Sequence, residues 1–321
     1  MHNVTKQVSC VGAGTIGSGW ATLYSGKGYN VVLHDSDQGA LDNAKRTIAL
    51  NMRNLAGYGL LSKIEVKRAL ARVMYTTSLP EAVTNADFIH ESVPESLSLK
   101  RQIFSTISSI ASPEAVIASS TGGLLMSKIQ SAAKRPERCV VVHPCQIPVH
   151  LTRLVEIVPG SLTNRGTIEF AAGLMRRVGK QPLIMKREVQ DYITNRLQFT
   201  LFREAVDMVG KGIATAEEID AALCEFAKAT FCIGLGPFVQ AELHGGPHGS
   251  DGISACMDYY ARILPETWRS LSKWTRVPPA VKANVETSVH QMIAKRGQSH
   301  RALIAWRDRA LIAIARDVWA K

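Results

Sequence analysis

A short β-branched run, Val8-Ser9-Cys10-Val11, leads straight into Gly12-Ala13-Gly14-Thr15-Ile16-Gly17 and then into an amphipathic segment that ends at Gly26 and Gly28. Three glycines at this spacing, between a strand and a helix, constrain the fold more than any other feature of the chain. Gly12 permits a tight turn, Gly14 lets the backbone approach a pyrophosphate, and Gly17 lets helix pack closely on strand. Thr15 and Ile16 open the helix, whose N-terminus faces the anion. A second strand ends in Leu33-His34-Asp35, eighteen residues after Gly17. An acid there accepts hydrogen bonds from adenosine ribose hydroxyls and repels a 2′-phosphate. Because Ser36-Asp37-Gln38 supply no arginine, the expected cofactor is NAD rather than NADP. The alternative for Asp35 is a helix cap, for which Ser36 and Asp37 are better placed.

The rest of the first half repeats the strand and helix alternation of a parallel sheet built from βαβ units. Strands are expected at Val8–Val11, Val31–Leu33, Val73–Tyr75, Phe88–His90, Val116–Ala118, Val140–His143, Leu154–Val158 and Leu183–Met185. Helices are expected at Leu41–Leu55, Ile64–Arg72, Leu99–Ile110 and Thr167–Val178. After Lys186 the strand signal stops. Helical periodicity covers Tyr192–Val209, Ala216–Phe226, Ile253–Ile263, Ala280–Lys295 and Arg301–Ala315, broken by Pro237, Gly245-Gly246-Pro247 and Pro278-Pro279. The expected fold class is α/β: an N-terminal Rossmann-type, mostly parallel sheet domain (1–188), then an all-α domain (189–321). No internal repeat is present.

Composition narrows the function. At 46% hydrophobic and 20% charged, the 321 residues have ample material for a core, which excludes disorder. The formal net charge of +11 raises the question of a polyanionic partner. The surplus lies in residues 1–188, with 22 basic and 13 acidic side chains, and forms no run of five like charges. It belongs to a folded domain that must hold a pyrophosphate. Basic residues without interleaved aromatics speak against single-stranded nucleic acid. Cys10, Cys139, Cys145, Cys224, Cys232 and Cys256 show no C-x-x-C pair and no Cys/His spacing typical of zinc, so they read as reduced, mostly buried thiols with no metal. Met1–Gln7 runs directly into the first strand, leaving no room for a cleavable leader, and no apolar stretch approaches 18 residues. A cytoplasmic protein without membrane contact is expected.

Further motifs follow in order: Glu91-Ser92-Val93-Pro94-Glu95 with Lys100, Ser119-Ser120-Thr121, His143-Pro144, Leu154-Val155-Glu156-Ile157-Val158-Pro159-Gly160, Asn195-Arg196-Leu197 and Gly236-Pro237-Phe238. Together with the glycine loop they resemble the 3-hydroxyacyl-CoA dehydrogenase superfamily, including its short carnitine-dehydrogenase-like and gulonate-dehydrogenase (lambda-crystallin-like) members. Gly245-Gly246, Trp274, Pro278-Pro279 and the Arg307-Asp308 segment resemble the carnitine-dehydrogenase-like branch more loosely. The resemblance implies an NAD-dependent dehydrogenase of 3-hydroxy acids or their derivatives, reversibly a 3-keto reductase, and a homodimer formed through the helical domain.

The chemistry asks for a base of near-neutral pKa within reach of the substrate hydroxyl. His143 ends an apolar strand at the carboxyl edge, where open α/β sheets bind ligands; a histidine that merely caps the strand is the alternative. Glu156 stands alone among apolar neighbours, and a buried carboxylate needs a partner; an edge strand with Glu156 in solvent is the alternative. The resemblance makes His143 the base, Glu156 the acid that orients it, and Asn195 the residue that holds the substrate oxygen. It places Glu95 and Lys100 at the nicotinamide half of NAD, with a solvated helix face as the alternative for both.

Several positions depart from the family. Its active-site serine is Gly122, after Thr121, and its asparagine after the histidine is Gln146. Glu156 falls thirteen positions after His143, where the family's spacing is twelve. The cofactor set expected here includes Thr121, Gly122 and Gln146. Loss of the serine hydroxyl points to a substrate that is larger near the reacting carbon or that carries its own polar group. It also keeps open a catalytically weak, crystallin-like NAD-binding protein. Lys45, Arg46, Arg53, Lys63, Lys67, Arg68 and Arg72 face only Asp42 and Glu65 across residues 41–72, so a CoA ester remains an alternative to a free hydroxy or keto acid.

Overall fold

A computed structural model describes residues 7–230, 236–244, 252–297 and 299–317. Eight strands form one sheet: β1 (Gln7–Val11), β2 (Asn30–His34), β3 (Val73–Thr76), β4 (Phe88–Glu91), β5 (Val116–Ser119), β6 (Cys139–Pro144), β7 (Leu154–Pro159) and β8 (Gln181–Ile184). Their order is β3-β2-β1-β4-β5-β6-β7-β8. Every pairing is parallel except that of β6 with β7. The exception has a simple cause. A parallel crossover needs a dozen or more residues, and only Cys145–Arg153 separate these two strands.

Seven helices accompany the sheet: α1 (Thr15–Gly26), α2 (Gln38–Gly57), α3 (Lys63–Ala71), α4 (Leu79–Val83), α5 (Leu97–Ile110), α6 (Met126–Gln130) and α7 (Arg165–Arg177). Alternate residues of the buried strands feed two apolar layers. Phe88, Val116 and Val140 pack with Trp20, Tyr24, Ile48, Met52 and Leu174, while Ile89, Ile117 and Val141 pack with Phe104, Ile107 and Met126. Burial on both faces is what runs such as Val140-Val141-Val142 require.

The helical part comprises α8 (Thr194–Gly210), α9 (Ala216–Thr230), α10 (Pro237–His244), α11 (Gly252–Ile263), α12 (Pro265–Ser270), α13 (Pro279–Arg296) and α14 (His300–Asp317). Pro237 and Pro279, expected to break the helical runs, do so as the first residues of α10 and α13. The first helical position has no use for the amide that proline lacks. Gly245-Gly246-Pro247 and Cys232 lie outside the described residues. By contacts the chain divides into one unit within Met1–Arg196 and Ile304–Lys321 and another within Leu197–Leu303. In the second unit Trp274 Nε1 donates to Asp207 at 3.1 Å, and Asp207 pairs with Lys211 at 2.6 Å. Arg307 pairs with its neighbour Asp308 at 2.7 Å. Among the described residues, no helix is long and apolar enough to cross a membrane.

Candidate active site

Strand order reverses between β1 and β4, and the crevice at such a point is where open α/β sheets bind ligands. A cavity of about 730 Å3 lies there, lined by Gly12, Gly14, Thr15, Ile16, Asp35, Glu95 and Lys100 among others. Gly12 has φ of 103°, and a Cβ on it would lie 2.6 Å from the Ser92 carbonyl oxygen, so only glycine fits. A Cβ on Gly17 would lie 1.8 Å from the Gly12 oxygen. Around Gly14, by contrast, nothing lies within 4 Å of the Cβ position, and no side chain caps α1. The helix therefore offers an open, uncapped first turn to an anion. Asp35 accepts from the amides of Ala13 (2.8 Å) and Asp37 (3.1 Å), while Asp37 caps α2 through the Gly39 amide. An uncapped helix start for a pyrophosphate and a carboxylate for ribose hydroxyls fit NAD.

Antiparallel pairing sets His143 directly opposite Glu156. The spacing of thirteen positions is accommodated because the register, not the separation along the chain, decides who faces whom. His143 Nδ1 lies 2.9 Å from Glu156 Oε2. The carboxylate is fully buried and accepts three more hydrogen bonds: the amides of Ile193 (3.0 Å) and Thr194 (2.8 Å) on Oε1, and the Thr194 hydroxyl (3.0 Å) on Oε2. Burial pushes its pKa up, but the bonds from His143 and Thr194 outweigh it, and the net value is lowered. An ionised carboxylate only accepts, so Nδ1 carries a proton. In the neutral ring, Nε2 then keeps its lone pair.

That nitrogen faces two other predicted residues. Asn195 Nδ2 donates to the Gly122 carbonyl at 2.9 Å, and a Cβ on Gly122 would come 3.1 Å from Asn195 Nδ2 and 3.2 Å from His143 Nε2. Gly122 is not among the residues of positive φ. The backbone there does not demand glycine, but any side chain at 122 would press on Asn195 and His143, which would have to give by a few tenths of an ångström. Cys145 lies near enough to His143 and Glu156 for the three to resemble metal ligands, within 4.8 Å of one another. The carboxylate of this group already receives four donors.

Lys100 is buried rather than on a solvated face: its Nζ lies 2.8 Å from Glu91, 3.1 Å from the Val93 carbonyl and 3.4 Å from Glu95. Glu91 also accepts from Ser119 Oγ (2.6 Å) and the Val93 amide (2.7 Å), and the Thr121 hydroxyl donates to Glu95. Glu91, at the end of β4, is thus a further member of this network, one whose motif alone assigns it no part. Its signal was its place at the end of a strand buried along its whole length, where a charge must be partnered. Lys180 was missed too. It is buried over the Trp20 indole, donates to the carbonyls of Val149 and Thr152, and burial brings its pKa down to about 7 against an opposing pull from Cys145. Thr121, Gly122 and Gln146 do not line the cofactor cavity, and Gln146 is exposed.

Residues 7–189 match the family model described as 3-hydroxyacyl-CoA dehydrogenase, NAD binding domain, and residues 192–273 match the corresponding C-terminal domain. The chain belongs to the 3-hydroxyacyl-CoA dehydrogenase family. Within it, this NAD-dependent oxidoreductase lies in the carnitine dehydrogenase-like branch. It is 34% identical to the L-carnitine dehydrogenase of Nocardiopsis dassonvillei over 97% of this chain and 91% of that protein. It is 36% identical to that of a Pseudomonas species over 96% and 92%. Among solved structures, the NAD+-dependent 5-formyl-3-hydroxy-2-methylpyridine 4-carboxylic acid 5-dehydrogenase superposes with a TM-score of 0.75 at 27% identity, covering 98% of both chains. A 3-hydroxybutyryl-CoA dehydrogenase from Ralstonia eutropha gives 0.65 at 28%, covering 83% of this chain and 90% of that one.

Proposed function

We propose that this dehydrogenase oxidises the secondary hydroxyl of a free 3-hydroxy acid of the carnitine type, with His143 as base, Glu156 as its support and Asn195 as the substrate-oxygen donor. The observation that carries this reading is the convergence of His143 Nε2 and Asn195 Nδ2 beside Gly122. Nε2 takes the hydroxyl proton. Glu156 keeps the tautomer and stabilises the imidazolium that results. Asn195 spends one amide hydrogen on the Gly122 carbonyl and has a second for the substrate oxygen. NAD, when bound, supplies the hydride acceptor, held by Gly12–Gly17, Asp35 and the Glu95–Lys100 wall. Run backwards, the same groups reduce a 3-keto acid.

The test is NADH formation at alkaline pH from L-carnitine, 3-hydroxybutyrate and 3-hydroxybutyryl-CoA. Turnover of L-carnitine without competition by free CoA supports the free-acid reading. The exposed basic side chains of α2 and α3 favour a CoA thioester as the second reading, and inhibition by CoA would establish it. Gly122→Ser should lower kcat/KM for L-carnitine by about 10- to 100-fold, because it displaces His143 and Asn195, the two groups that position the substrate oxygen. The smaller 3-hydroxybutyrate should lose less, and equal losses would show that Gly122 does not set substrate size.

Residues 196–202 of α8 are exposed all round the helix although they include Leu197, Phe199, Leu201 and Phe202. A second copy of the chain is the proposed cover, giving a homodimer. Sedimentation should show a dimer that Phe202→Glu converts to monomer; a monomeric wild type rejects it. Free thiols at Cys10, Cys139 and Cys256, all buried, support a cytoplasmic location. Residues 1–188 and 189–321 are the proposed cofactor and substrate/dimerisation domains.

A further inference from the structure

We propose that Tyr192 is the positioning residue of the catalytic imidazole, an inference that rests on the His143–Glu156 reading above. Two adjacent residues with side chains, Asp191 (φ 61°) and Tyr192 (φ 53°), adopt the left-handed conformation that a Cβ disfavours. Such a turn persists only where its surroundings fix it, and it concentrates at functional sites. Here the surroundings are the site itself. The Tyr192 side chain is fully buried, its ring centroid lies 5.6 Å from that of His143 at an interplanar angle of 59°, and its hydroxyl donates to the Leu124 carbonyl at 2.6 Å.

The residues that follow the turn supply the rest of the constellation. Ile193 and Thr194 give Glu156 its two amides, Thr194 adds a hydroxyl, and Asn195 reaches Gly122. One wedge thus touches three walls: the segment after β5 through Leu124, the end of β6 through His143, and β7 through the donors to Glu156. Glu156 holds the imidazole at one edge only, and a ring held at one edge can still tilt about that bond. The Tyr192 ring, tilted against the imidazole, removes that freedom and keeps Nε2 directed at Gly122 and Asn195. The ring does this work; the hydroxyl anchors the ring.

The test compares Tyr192→Phe with Tyr192→Leu in the full-length protein, with NAD titration as the control for folding. In protein carrying 15N-histidine, the Nδ1 proton of His143 gives a hydrogen-bonded, exchange-protected signal, assigned by its absence in His143→Ala. Wild type and Tyr192→Phe should retain it, and Tyr192→Leu should lose it to exchange. With L-carnitine as substrate, kcat should fall at least tenfold in Tyr192→Leu and stay within threefold in Tyr192→Phe, with KM for NAD unchanged in both. A wild type without the protected signal, a leucine variant that keeps it, or a phenylalanine variant as damaged as leucine would each overturn the proposal. Should Tyr192→Leu fail to bind NAD, Tyr192→Met, which preserves bulk without a flat face, carries the same comparison. The spectroscopic measurement needs no substrate. Absence of turnover in the wild type therefore counts against the proposed function, and an unchanged signal in the leucine variant counts against Tyr192.

Discussion

His143→Ala should lower kcat by about 1,000-fold, within the range that a positioned general base contributes, while leaving the affinity for NAD within about threefold. The two halves of that expectation come from different parts of the molecule. Nε2 of His143 stands beside Gly122 and Asn195, so its loss removes the acceptor for the hydroxyl proton. The cofactor cavity is built from the glycine loop, Asp35, Glu95 and Lys100, and His143 does not line it. NAD binding, followed by fluorescence, should therefore survive a change that abolishes most NADH formation. The removed ring sits among Tyr192, Glu156 and Gly122, so the variant also leaves Glu156 one donor short, and some loss of stability accompanies the loss of rate. A catalytically idle NAD-binding protein would give a different result, with no 3-hydroxy acid turned over by the wild type and nothing for the substitution to remove. Turnover that persists in His143→Ala would reject the dyad.

What the sequence could and could not announce follows from how far apart the interacting residues lie. The glycine loop and Asp35 were legible because their chemistry is local: a turn, a helix start and the next strand end fall within residues 8–35. The inner strands were legible for a similar reason, since strands buried on both faces write continuous apolar runs such as Cys139-Val140-Val141-Val142. The antiparallel turn between β6 and β7 was there to be read in the shortness of Cys145–Arg153, and was not. Partnerships across the fold were harder. Glu91 and Lys100 identify each other only when the end of β4 meets α5, and Lys180 is explained by two carbonyls of a loop about thirty residues earlier. Tyr192 gave no signal at all, because a left-handed turn in Asp-Tyr contradicts local preference and is imposed by the packing around it. The prolines do lie at the breaks between helices, and what the sequence left unread is that Pro237 also opens a helix of its own, α10.

Glu156→Gln should be at least as damaging to turnover, about 10,000-fold by analogy with other orienting carboxylates, although it changes one oxygen for one NH2. An amide retains a carbonyl for the amides of Ile193 and Thr194, which places its NH2 toward His143. Nδ1 must then accept, the proton moves to Nε2, and the ring presents a hydrogen where the substrate needs a lone pair. Stability should fall as well, by about 1–3 kcal/mol for a buried partner left unsatisfied, and this part has a pH signature. The folded-state pKa of Glu156 lies below its ordinary value of 4.5. A carboxyl depressed in the folded state contributes stability that is complete above the unfolded pKa and is lost as pH falls through the folded one. The difference in unfolding free energy between wild type and Glu156→Gln should therefore shrink on acidification below about pH 4.5. His90 and His150, whose pKa values burial lowers to about 3 and about 4, destabilise both proteins alike in acid and cancel from that difference. A gap that stays constant down to pH 3 would mean that the carboxylate's charge contributes nothing to the fold, and that the four donors around it serve catalysis alone.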